Sequence, residues 1–271
     1  MFTCPVCGES LEKHGGTLGC ANGHSYDIAK QGYVNLLMSN ASGGKRHGDD
    51  KAMVAARSAL LDAGCYDNFR DGIVDAAREY FPAGMPVLDA GCGEGFYSFA
   101  VHRALGGDMA GVDISKTALI AASKRGGGME LAVAGVNRLP LANGSCGGIL
   151  NIFAPTDSGE FWRVLAENGI LLRGVPGERH LMELKAAVYD SPYLNPKPDA
   201  FIPGFELIDR RAVSGTILLH SQSDIQNLFM MTPYYYKTGR ADQEKLEKLS
   251  SLETFVDFEI QIYKKQNLST L

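Results

Sequence analysis

From Pro86 onward, short apolar runs alternate with amphipathic stretches. This pattern predicts strands at 86–90, 108–113, 130–134, 147–152 and 169–174, and helices at 95–105, 115–125 and 158–167. Strand–helix alternation of this kind marks a largely parallel sheet. Further strands are expected near 205–213, 217–219 and 254–264, with helices from Ser221 to about Met231 and near 242–250. Upstream, Asp49 or Asp50 caps a helix that carries Met53, Ala56 and Leu60 at helical spacing and stops at Gly64. A second helix has Phe69, Ile73, Ala76, Ala77 and Tyr80 as its apolar stripe and ends at Pro82 and Gly84. Helices placed just before the first strand are expected to cover one mouth of the sheet. The proline-rich stretch 190–204 reads as a lid-like loop, and no internal repeat is present.

The first strand of this series runs into Asp89-Ala90-Gly91-Cys92-Gly93-Glu94-Gly95, and a helix pattern starts at Phe96. A buried strand, a glycine turn and a helix N-terminus together form a small-molecule binding corner. Gly91, Gly93 and Gly95 let a ligand approach the backbone and tolerate positive φ. A dinucleotide fold wants G-x-G-x-x-G. The order here is G-x-G-x-G led by an acid, which suits S-adenosylmethionine, a ligand with an adenosine and a charged methionine tail but no pyrophosphate. The second strand ends in Asp113, ~20 residues past the glycine loop, where an acid accepts ribose hydroxyls. A helix-cap role for Asp113 is the competing reading. Asn137 lies in the segment after the third strand, where an adenine-contacting loop is expected.

The fourth strand ends in Asn151-Ile152-Phe153-Ala154-Pro155, at the carboxyl edge where open α/β sheets meet their ligands. Asn151 offers a donor and an acceptor, and Phe153 offers a flat face. A structural role is the alternative for each. His180 stands in a loop leading into a helix at the same edge; a solvent-facing histidine is the plainer reading. Tyr234, Tyr235 and Tyr236 before Lys237 suit either base stacking or packing, with packing favoured for two of the three.

Cys4-x2-Cys7, then twelve residues, then Cys20-x3-His24 is a zinc-ligand spacing. Four ligands close a tetrahedral shell, so the metal is structural, and a module this small takes its folding energy from it. Unrelated surface thiols are the alternative. Residues 25–40 continue the module as a strand, and residues 39–50 form a polar, glycine-rich loop with the basic triplet Lys45-Arg46-His47. That loop is either a solvated linker or a segment that meets phosphate.

Composition adds limits. The chain has 271 residues, 45% of them hydrophobic, which is enough for one full α/β domain and a small extra module. Six cysteines are too few for a disulfide scaffold at this length, and Cys65, Cys92 and Cys146 read as buried free thiols. With no spanning apolar run and no signal pattern, a cytoplasmic protein without membrane contact is expected. The net charge of -5 disfavours a general nucleic-acid binder, so contact with an acidic polymer has to use local patches.

Taken together, the glycine loop with Cys92 and Glu94, the Cys4/Cys7/Cys20/His24 module, Ala63-Gly64-x-Tyr66, Pro176-Gly177-x-Arg179-His180-Leu181-Met182-Glu183-Leu184-Lys185 and Met231-Thr232-Pro233 resemble the bacterial 23S rRNA (guanine-N1)-methyltransferases. The resemblance covers essentially the whole chain. It implies a Rossmann-like class I methyltransferase sheet, mostly parallel and of seven strands, behind a zinc-binding module. The organisation it suggests is a zinc-binding RNA-recognition module at 1–38, a linker and covering helices at 39–84, and the methyltransferase domain at 85–271. It further implies zinc on Cys4, Cys7, Cys20 and His24, and S-adenosylmethionine contacts from Tyr66, Gly93, Glu94 and His180. The substrate it implies is a guanine in a hairpin loop of 23S rRNA, with Asn151 and the Phe153-Ala154-Pro155 backbone expected to orient the guanine edge; the assembly it implies is a homodimer, and one branch of the family confers macrolide resistance. The chain departs from the family at Ala55-Ala56-Arg57-Ser58, where a second arginine is expected. A methyltransferase for a small molecule, or a non-catalytic zinc-containing RNA-binding protein, are the competing functions.

Overall fold

The computed structural model describes residues 1–38 and 48–266; Lys45-Arg46-His47 lies outside the described residues. The N-terminal strands β1 (Glu12–His14), β2 (Thr17–Gly19) and β3 (Ser25–Asp27) form a small antiparallel sheet. The main sheet follows. Its central strands are β5 (Val87–Ala90), β6 (Met109–Asp113), β7 (Glu130–Val133), β8 (Cys146–Ile152) and β9 (Leu165–Pro176). β5, β6 and β8 are near-continuously buried, as strands covered on both faces must be. β10 (Phe205–Leu219) and β11 (Leu252–Lys265) extend the sheet as a long antiparallel hairpin.

The sheet order is β10-β11-β9-β8-β5-β6-β7-β4, where β4 is Tyr33–Asn35. Among the described residues this sheet therefore has eight strands rather than the expected seven. The extra one comes from the N-terminal module: β4 pairs in parallel with β7, Tyr33 opposite Leu131. A three-residue strand with a partner this remote leaves no local pattern to read. From β5 the chain adds β6 and β7 on one side, then β8 and β9 on the other. The connections thus reverse direction between β5 and β8, which opens a crevice at the carboxyl ends of these strands.

Helices α1 (Lys51–Asp62), α2 (Asp67–Tyr80), α3 (Phe96–Leu105), α4 (Lys116–Ser123), α6 (Met182–Val188) and α7 (Gln222–Met230) send side chains into one large core. Asp50 caps α1 by accepting hydrogen bonds from Ala52 N and Met53 N. The opposite face carries the short α5 (Ser158–Val164) and is completed by the N-terminal module, through Phe2, Leu11, Leu18 and Tyr26. The module thus covers part of a sheet face as well as lending a strand to its edge.

Three local differences have simple causes. The helix expected over 158–167 stops at Val164, because Leu165 already begins β9. The strands expected at 205–213 and 217–219 are one, since Gly215 continues the ladder opposite Val256. The loop 190–204 lines none of the main cavity; Asn195 fastens it behind the site, to the carbonyl of Gly177 and the backbone of Glu178. The last helix, α8 (Arg240–Leu246), packs against α6 and α7.

Candidate active site

The thiols of Cys4, Cys7 and Cys20 and the imidazole of His24 have ligand atoms all within 4.8 Å of one another. Cys7 Sγ lies 3.7 Å from Cys20 Sγ, and His24 Nδ1 lies 3.6 Å from Cys4 Sγ and 3.4 Å from Cys20 Sγ. Zn–S bonds of ~2.3 Å and Zn–N bonds of ~2.0 Å in a tetrahedron place ligand atoms about 3.5–3.8 Å apart. These separations are therefore the edges of a metal shell rather than hydrogen bonds. Gly8 and Gly23, both at positive φ, make the turns after Cys7 and before His24. Tyr26 Oη donates to Cys4 Sγ at 3.1 Å. Burial raises the Cys4 thiol, but hydrogen bonds from Tyr26 and the backbone outweigh it and bring it down to about 6. A ligand already inclined to the thiolate favours metal. All four residues fit zinc in a closed, structural site.

The second site is a cavity of about 960 Å³ at the crevice between β5 and β8. Gly91, Gly93 and Gly95 all have left-handed φ, at 93°, 54° and 79°. A side chain at Gly91 would strike Ala154, and one at Gly95 would strike Phe99. Gly93 differs: a Cβ there meets only the Arg57 guanidinium, at 3.8 Å, so this stretch of backbone is open to a ligand. Asp113 braces the loop, accepting from Gly93 N at 2.9 Å and from Ser115 N at 2.7 Å. It still lines the cavity, as Asn137 does beyond β7.

Beneath the loop, Asp89 is buried and accepts from Ser98 Oγ on Oδ2 while Oδ1 has no partner. Glu94 is equally buried; its Oε2 accepts from Arg57 Nε at 2.8 Å and its Oε1 is unpartnered. Arg57 also pairs with Asp49, whose carbonyl accepts from Ser115 Oγ. Four buried side-chain atoms lack a partner among the described residues, and three of them, Asp89 Oδ1, Glu94 Oε1 and Tyr97 Oη, belong to residues lining this cavity. Such atoms in a roomy, mostly apolar pocket call for a ligand with matching donors. An ammonium on a methionine tail is such a donor, so these residues fit S-adenosylmethionine.

Tyr66 and His180 meet on the far wall. Asp257 N donates to His180 Nδ1 at 3.2 Å, which places the ring proton on Nε2, 3.4 Å from Tyr66 Oη. Burial first, and the Lys185 charge second, hold His180 down at about 3. The ring is therefore neutral at physiological pH. His180 is not the solvent-facing histidine of the plainer sequence reading. Of the three tyrosines, Tyr234 and Tyr235 pack on the main core, while Tyr236 is 64% exposed and donates to Asp50.

Asn151 is a correction. Its side chain is fully buried and lines no part of the cavity. Nδ2 donates to Ala90 O and Pro155 O, both at 3.0 Å, and Oδ1 accepts from Thr156 Oγ1 at 2.8 Å. With both donors spent on the backbone, it has no amide proton left to orient a guanine; it pins the turn after β8. Arg57 and Tyr97 went unmarked in the sequence as site residues. One signal was available for the first: Met53, Arg57 and Leu61 sit four apart on α1 and all line the cavity.

Residues 2–42 match a family model described as RlmA, N-terminal, a zinc ribbon, and residues 87–169 match a methyltransferase domain model. The 23S rRNA (guanine(748)-N(1))-methyltransferase of Streptomyces fradiae is 40% identical over 190 residues, 68% of this chain and 66% of that enzyme. A Bacillus subtilis protein provisionally named 23S rRNA (guanine-N(1)-)-methyltransferase YxjB is 31% identical over 284 aligned positions, 97% of this chain and 96% of that one. Among solved structures, YcgJ from Bacillus subtilis superposes with a TM-score of 0.50 at 15% identity, over 73% of this chain and 98% of that one, which speaks for the fold alone. A zinc ribbon feeding its exit strand into a methyltransferase sheet, and a relative matching nearly end to end, lead to one assignment: the chain belongs to the 23S rRNA (guanine-N1)-methyltransferase family.

Proposed function

We propose that the chain transfers a methyl group from S-adenosylmethionine to N1 of a guanine in a hairpin loop of 23S rRNA. The observation that carries this is the trio of unpartnered polar atoms around the cavity at the sheet's reversal point, in a chain whose relatives bear that activity in their names. When bound, the cofactor supplies an electrophilic methyl on a sulfonium. The chain supplies the pocket. Asp89 and Glu94 offer carboxylate oxygens to the cationic methionine tail, and Gly91, Gly93 and Gly95 keep side chains out of its way. Asp113 offers its carboxylate to the ribose hydroxyls while holding Gly93, and Asn137 flanks the adenine. Tyr66 and His180 close the methionine end. His180, kept neutral, adds no positive charge beside the tail.

With a sulfonium leaving centre, alignment of acceptor and methyl carries much of the rate. The acceptor base has to leave its stack to enter the pocket. The zinc ribbon, fused to the sheet edge, is the RNA-recognition module in this reading. A homodimer acting in the cytoplasm, where ribosomal RNA is made, belongs to the same proposal. No helix among the described residues is long and apolar enough to cross a membrane.

The test is mass mapping of large-subunit RNA incubated with the protein and labelled cofactor. One labelled guanine, blocked at N1, is the expected result. Label confined to small molecules would overturn the substrate assignment, and light scattering of the purified protein decides the dimer.

A further inference from the structure

Phe153 is out of place for a core residue. It follows β8 directly and lines the cavity, yet it is 46% exposed. Its φ is 52°, in the left-handed region that a bulky residue adopts only under constraint. Strain of this kind persists where the surroundings enforce it, and it concentrates at sites that work on ligands.

The surroundings here do enforce it. Phe153 N donates to Gly174 O at 3.0 Å, tying the residue to β9. Asn151, two residues before, grips Ala90 on one side and Pro155 and Thr156 on the other. Behind the ring, the buried Phe69 and Phe258 stack on each other at 4.4 Å between centroids. Phe153 rests against both, at 5.4 Å and 5.7 Å, with Tyr97 edge-on at 6.2 Å. One side of the ring thus has a rigid aromatic backing, and the other is open.

We propose that Phe153 is the stacking platform for the acceptor base, and that Asn151 is the positioning residue that holds it there. This rests on the proposed function and adds the element of the pocket that receives the purine. A flat, apolar, pre-fixed ring suits the face of an unstacked base, for which aromatic stacking is worth about 5- to 150-fold in affinity. The strained turn aims the ring before RNA arrives, so no ordering cost falls on binding.

Glycine relieves the left-handed strain while deleting the ring, which makes Phe153→Gly the informative variant. Methyl transfer is followed as a function of concentration of protein-free large-subunit RNA, with cofactor saturating, and cofactor affinity is measured by calorimetry. The expected result is a KM for RNA at least about 10-fold higher, with cofactor affinity within about twofold of wild type. Phe153→Tyr restores the RNA KM. Asn151→Ala raises the RNA KM as Phe153→Gly does, and adding Asn151→Ala to Phe153→Gly raises it little further. Wild type active with Phe153→Gly unchanged in KM would overturn the platform and leave the function standing. Wild type inactive on the RNA would overturn both. Loss of cofactor affinity in Phe153→Gly would also overturn it, because the ring would then serve the cofactor side of the cavity.

Discussion

Replacing Asp89 with asparagine should raise stability at high pH and weaken cofactor binding. Asp89 is 2% exposed, and its Oδ1 has no partner among the described residues. Burial, aided by the nearby Asp113 charge and opposed by the Ser98 hydrogen bond, pushes its carboxyl from 3.8 up to about 7. The folded carboxyl then holds its proton more tightly than the unfolded one. Its contribution is therefore fully favourable below about 3.8, drains away as pH rises to about 7, and stays lost above that. The gap amounts to roughly 4 kcal/mol. Asparagine keeps the acceptor for Ser98 but puts an unpaired amide where Oδ1 was, costing about 1–3 kcal/mol. At pH 8 the ligand-free variant should be more stable by about 1–3 kcal/mol, a rise in Tm of roughly 2–12 °C. At pH 5, with much of the wild-type advantage restored, the difference should vanish or reverse. Cofactor affinity should fall at least about tenfold in the variant, the loss of one charge-assisted hydrogen bond. In wild type it should rise by up to about tenfold per pH unit below pH 7 and level off above. Thermal melts at the two pH values and calorimetry across the range measure both effects. A Tm difference that is the same at pH 5 and pH 8, or a wild-type affinity flat from pH 5.5 to 8, would refute the reasoning.

Metal analysis should find one zinc per chain, and Cys20→Ser should lose it. The ribbon would then forfeit roughly 10 kcal/mol of metal-binding free energy, and amide exchange at Tyr33–Asn35 should accelerate; protection unchanged in the zinc-free protein would disprove the structural role. Arg57→Met strips the buried Glu94 of its partner and should cost about 3 kcal/mol in urea unfolding, with Glu94→Gln added to it recovering a good part; a cost below about 0.5 kcal/mol would contradict the burial argument. His180, held at about 3 by burial and Lys185, lies below its usual 6.5, so its contribution to stability is complete above that value and lost as pH falls toward 3. Imidazole nitrogen NMR should show a neutral ring protonated on Nε2 at pH 5, and a cationic ring there would rule this out.

Much of the site was legible because its chemistry is local. The acid-led glycine loop, Asp113 at the end of the second strand and the Cys/His spacing each follow from short runs whose turns bring their own residues together. What escaped the sequence depends on long-range contact. Asn151 has the right side chain at the right strand end. Only the tertiary structure shows its amide spent on Ala90 and Pro155. Arg57 pairs with Glu94, 37 residues further on, a contact that no local pattern around α1 announces. The strand expected to break at Gly215 runs through it, because its partner Val256 supplies the ladder that the local pattern lacks.

The pairing of β4 with β7 also sets an order of events during synthesis. Tyr33 and Leu131 are 98 residues apart, roughly 5–20 s of elongation. Over that interval the ribbon can close around its metal as soon as His24 emerges, but its exit strand has no partner. Tyr33 and Val34, later buried to within 5% and 3% exposure, face solvent on an open strand edge. A nascent chain starved of zinc would present that edge with no folded ribbon to anchor it, so metal supply at the ribosome should govern how much of this protein reaches its native sheet.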